Sequence, residues 1–138
     1  FNAKMVEIMQ DPPKSGILGT PKSFDEVGWY VDGAKPGESG NALIAGHYDK
    51  ANGSAAVFYH LGRLKVDDIV GIKDEVGRII VFKIYDVELV AIGDNSSVLK
   101  AYEYSDYSIL TIITCGGVWD AKAHNYSKRL LVKAKKVA

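Results

Sequence analysis

Proline is confined to the start of this chain: Pro12, Pro13, Pro21 and Pro36 are its only four, and residues 37–138 contain none. Proline removes a ladder donor and is excluded from central strands, so the Pro-free remainder can form uninterrupted β-ladders. Its apolar pattern agrees. Ala42–Ala45 is a short apolar run ending in Gly46-His47. Ile69–Ile72 and the long Val-, Ile- and aromatic-rich stretch Arg78–Ile92 flank Asp74-Glu75-Val76-Gly77, which reads as a hairpin turn. Ser108–Thr114 is β-branched and reads as a buried strand, and Arg129–Val137 as a final one. Two segments have helical spacing instead. Ala55–Leu64 carries Val57, Leu61 and Leu64, and Val98–Tyr104 follows a potential Asn95-Ser96-Ser97 cap. The expectation is a mostly β protein, a barrel or sandwich of seven to eight strands with two short helices.

With 138 residues the natural count is one domain, 1–138, in which residues 1–15 form a looser N-terminal wrap. Seventeen basic residues offset seventeen acidic ones. A net charge of zero argues against nucleic-acid binding by counterion release and against a polybasic membrane-surface module. The single cysteine, Cys115, excludes an internal disulfide framework and a thiolate zinc cage. No apolar run reaches the ~18 residues of a membrane span. The chain starts at Phe1, which suggests a cut or processed form whose upstream signal or anchor is not in view.

Cys115 closes the apolar run Ile109–Thr114 and precedes Gly116-Gly117. Such a residue is held by a rigid element yet open to a substrate; the alternative is an inert, buried thiol. A reactive thiol needs a base or a positive charge nearby. His47 also ends an apolar strand and is the best-placed partner. His60 reads as helix surface and His124 as part of a solvated loop. Arg129, at the opening of the last strand, is either a strand-end charge or a donor to a developing oxyanion. No P-loop, HExxH or dinucleotide fingerprint occurs. Asp94, Glu103 and Asp106 lack calcium-loop spacing, so neither a metal nor a cofactor is expected.

Taken together, Ala45-Gly46-His47, Thr111-Ile112-Ile113-Thr114-Cys115 and Arg129-Leu130-Leu131-Val132-Lys133-Ala134 resemble the sortase family of cysteine transpeptidases. Gly28-Trp29-Tyr30, Pro36-Gly37, Val57-Phe58 and Leu61 fit the same frame, and the likeness runs from about residue 16 to the C-terminus. Cys115–Asp120, with Tyr126 ahead of Arg129, looks most like class F, with classes D and E as neighbours.

The resemblance implies a sortase-type barrel with His47, Cys115 and Arg129 as catalytic residues, and Thr114 and Trp119 as substrate-binding ones. Asp49 is a further candidate to orient His47. The resemblance also implies cleavage of an LPxTG-like signal between Thr and Gly on surface proteins, and transfer of the acyl group to a cell-wall or other amine. The expected location is the outer face of a Gram-positive membrane, anchored by a segment absent from this chain. Two rivals stand beside this reading. An L,D-transpeptidase places Gly before its Cys and Arg two residues after, where this chain has Thr114 and Gly117. A non-catalytic β-domain would bury Cys115 and bind a wall polymer or a partner protein.

Overall fold

The computed structural model describes residues 3–92, 105–115, 118–122 and 124–137. Among these residues eight strands form one sheet: β1 (Met5–Ile8), β2 (Val27–Tyr30), β3 (Gly40–His47), β4 (Ile69–Lys73), β5 (Ile79–Ala91), β6 (Ser108–Cys115), β7 (Val118–Asp120) and β8 (Asn125–Lys136). The path across the curled sheet is β1-β2-β3-β6-β8-β5-β4, and β7 is added on β8. This is the expected seven- to eight-stranded barrel-type architecture.

At the centre, β3 and β6 run parallel, from Gly40 opposite Ser108 to His47 opposite Cys115. Their near-continuous apolar sequences follow from burial on both faces. Ala42, Ile44, Leu110, Ile112, Leu130, Val132 and Ala134 point to one side, against Phe82, Ile84, Phe58 and Leu61. Leu43, Ala45, Ile113 and Leu131 point to the other, where they pack with Ile8, Tyr30 and Val90. The hairpin at Asp74–Gly77 forms as read. Asp74 N–H donates to the Arg78 carbonyl (2.9 Å), and the Asp74 carboxylate accepts from Val76 N–H and Arg78 N–H.

Three expectations are corrected. Ala55–Leu64 is not an α-helix: it is a run of turns ending in a single 3-10 turn, Leu61–Arg63. Its early donors are drawn to distant acceptors, Val57 N–H to the Phe24 carbonyl and Phe58 N–H to the His47 carbonyl. The later ones close i→i+3 bonds. Asp120–Lys128 is mostly a β7–β8 hairpin rather than a loop, so the last strand begins at Asn125 and Arg129 lies inside it. The N-terminal region is also less loose than expected. Residues Met5–Ile8 form β1, parallel to β2, and the Ile8 side chain lies where a Cβ on Gly28 would sit, 2.6 Å from it. The predicted helix at Val98–Tyr104 lies outside the described residues.

Candidate active site

Gly46 and His47 end β3, and Thr114 and Cys115 end β6. A Cβ at Gly46 would lie 2.7 Å from the Phe58 ring and 3.0 Å from Val57, so only glycine lets the turn after His47 fold back against the strand. His47 and Cys115 are register partners in the parallel ladder, and such partners carry their side chains on the same face. On the other side of β6, Ile113 pairs with Leu131 of antiparallel β8. Arg129 lies two residues before Leu131 on the same face of β8, and its charge acts on the Cys115 thiol. Arg129 in turn pairs with Val90 of β5. His47, Cys115 and Arg129 thus form one row across three adjacent strands, all on the face that carries Ala45, Ile113 and Leu131.

The imidazole of His47 is held from outside the sheet. Its Nε2 lies 2.8 Å from the Pro21 carbonyl oxygen, and the Phe24 ring packs on it with centroids 4.7 Å apart. A carbonyl only accepts, so Nε2 carries the proton and donates it to this bond. Nδ1 remains for acid–base work. Sequence reasoning missed this clamp because its hydrogen-bonding group is a backbone carbonyl, which no side-chain pattern advertises. The orienting partner seen for His47 is therefore the Pro21 carbonyl; the backbone of Asp49 forms an isolated antiparallel bridge with Ala55.

Cys115 is a half-buried free thiol. Burial pushes its pKa up to about 12, against the opposing pull of the Arg129 charge. Arg129 is half-buried, and its Nε is shielded from solvent with no hydrogen-bond acceptor among the described residues. An unpaired buried donor of this kind is costly unless a ligand completes it.

Thr114 is corrected. It is fully buried, on the face opposite Cys115, and its Oγ1 accepts the Leu130 N–H at 3.1 Å. It ties β6 to β8 between Cys115 and Arg129 rather than meeting substrate. Trp119 falls on β7, and its side chain is outside the described residues. His60 is exposed, edge-on to Tyr59, and His124 is exposed at the tip of the β7–β8 hairpin, so neither joins the row. Among the described residues no cluster of His, Cys, Asp and Glu could hold a metal ion.

A family model described as the Sortase domain matches residues 6–137. This chain belongs to the sortase family. Sortase C-1 from Actinomyces oris superposes with a TM-score of 0.64 at 23% identity, covering 83% of this chain and 58% of its own. A lid mutant of sortase A from Corynebacterium diphtheriae gives 0.66 at 24%, covering 86% and 61%. A sortase D5 transpeptidase from Clostridium perfringens gives 0.63 at 24%, covering 88% and 71%. This sortase chain therefore spans about three-fifths of the length of the first two structures. Their classes are C, A and D, and none of them supports the class F-like reading of Cys115–Asp120. No protein of curated function matches the chain.

Proposed function

We propose that this sortase domain is a cysteine transpeptidase with Cys115 as nucleophile, His47 as acid–base and Arg129 as the electrostatic donor. The row these three form on one sheet face carries the reading. The Cys115 thiolate attacks the Thr carbonyl carbon of an LPxTG-like signal, and the carbonyl π electrons move to oxygen. Arg129 donates to that oxyanion or to a neighbouring substrate carbonyl, satisfying the Nε left without an acceptor. The charged His47 gives its Nδ1 proton to the Gly nitrogen as the C–N bond breaks, leaving a thioester. An amine then attacks the thioester and yields its proton to Nδ1, and the thiolate departs. The thiol rests protonated because it is buried, so the reactive form is the minor one in which its proton has passed to His47.

The substrates are surface proteins carrying the signal, and the acceptor is a cell-wall or other amine. The working site is the outer face of the cell. No helix among the described residues is long and apolar enough to cross a membrane. Cleavage of a fluorogenic LPxTG-type peptide tests the assignment. Cys115→Ala should abolish turnover. His47→Ala and Arg129→Ala should each lower it by about a hundredfold or more, and His60→Ala and His124→Ala should leave it near wild type. A His124→Ala loss as large as that of His47→Ala would overturn the choice of acid–base.

A further inference from the structure

The face that carries the reactive row has a second feature further from the strand ends. A pocket of about 420 Å³ opens there over Asn41 of β3, Thr111 of β6 and Lys133 and Lys135 of β8, walled by Tyr85 and Tyr107. Its position follows from register: Asn41, Ile109 and Lys135 form one row and Leu43, Thr111 and Lys133 the next. Cys115 lies four residues beyond Thr111 on the same strand, about 13 Å away. The row between them, Ala45, Ile113 and Leu131, is buried, so the pocket is separate from the thiol site.

Two ammonium groups line the pocket and no carboxylate does, but two carboxylates of β5 flank it: Asp86 is the register partner of Lys133 and Glu88 is ion-paired with it. The charge left for a ligand is therefore chiefly that of Lys135. The Lys133 Nζ is 3.6 Å from Glu88 Oε1, a charge contact in which that buried oxygen takes no hydrogen bond. Lys135 Nζ stands 3.6 Å above the centroid of the exposed Tyr107 ring, which fixes the charge at the rim without neutralising it. The remaining lining adds hydroxyl and amide groups on a short apolar floor at Ile109. That combination suits a carboxylate on an extended peptide: a point charge for the anion, with aromatic and apolar surface for the backbone beside it.

We infer that this pocket is an exosite for an acidic segment of the donor protein, N-terminal to the scissile bond. The inference rests on the transpeptidase reading above. An extended chain advances about 3.3 Å per residue, so a peptide held at Cys115 needs at least four or five residues to reach Thr111 and more to pass outside the buried row. Asp or Glu about five to ten residues before the cleavage point can therefore engage Lys135 and, to a lesser degree, Lys133.

The test compares donor peptides with one LPxTG-type core, extended N-terminally over those positions by either an Asp/Glu-rich or a Ser/Gly-rich segment. Wild type should show a KM about three- to tenfold lower for the acidic peptide with kcat unchanged, and the advantage should shrink in high salt. In Lys133→Gln/Lys135→Gln the advantage should vanish, while the unextended core peptide is cleaved at the wild-type rate. Equal KM for both extensions, or an advantage that survives the double substitution, would overturn the exosite. Direct binding to Cys115→Ala protein separates this from the parent reading, because it needs no turnover. There the acidic peptide should bind more tightly than the neutral one even if no sorting peptide is cleaved. Displacement by a polyglycerol-phosphate polymer, with no preference for the acidic peptide, would assign the pocket to a wall polymer and overturn the proposal.

Discussion

Cys115 sits in two opposed fields. Burial holds its proton on, the Arg129 charge favours losing it, and burial wins, pushing the pKa up to about 12. Alkylation of the native thiol by iodoacetamide should therefore keep accelerating above pH 9, where an ordinary thiol of pKa about 8.5 levels off. Arg129→Met removes this opposing pull, so at pH 8–9 its alkylation should be several-fold slower. A native rate that levels off by pH 8.5, or one indifferent to Arg129, would contradict this balance. The same shift bears on stability. The folded value lies above the unfolded one, so the thiol's contribution is full below about pH 8.5 and is lost as pH rises towards 12. His47 is held differently, by the Pro21 carbonyl and the Phe24 face, which leave one nitrogen for chemistry.

At the scale of elements, the proposed site depends on the ends of β3 and β6 being held beside the interior of β8. Thr114 is part of that. Thr114→Val keeps the shape but leaves the Leu130 N–H buried without an acceptor, at a cost of about 1–3 kcal/mol. Urea denaturation should show that loss for Val and little for Ser; a Val variant as stable as wild type would remove the tie. Strands β3 and β6 were legible in the sequence because burial on both faces leaves an unbroken apolar run. His47 and Cys115 stood out as candidates because they close those runs. Ala55–Leu64 misled because its apolar spacing serves long-range packing: Leu61 and Phe58 fill the core from turns whose donors reach Phe24 and His47. The β7–β8 hairpin was hidden in the polar stretch Asp120–Lys128, which offers no alternation to read.

At the scale of the molecule, the N-terminal region belongs to the sheet. Ile8 joins the cluster of Leu43, Ala45, Ile113 and Leu131 beneath the reactive row. Ile8→Ala should lower stability by about 2–4 kcal/mol, read as a fall in the urea midpoint at unchanged slope. A change within a few tenths of a kcal/mol would return residues 1–15 to a loose wrap. The sequence concealed β1 because it has only four residues and its partner, β2, lies about twenty residues on, so neither period nor turn signal joins them. The family match from residue 6 takes in most of that strand.

The central claim is a covalent one, that the acyl half of a sorting peptide passes through the sulfur of Cys115. Intact-mass spectrometry of the wild-type protein, acid-quenched during turnover of an LPxTG-type peptide, tests it most directly. The expected result is a mass increase equal to the peptide fragment ending in Thr, less water, located on Cys115, removed by hydroxylamine and absent from Cys115→Ala. Cleavage without any such adduct, or with equal efficiency in Cys115→Ala, would contradict it.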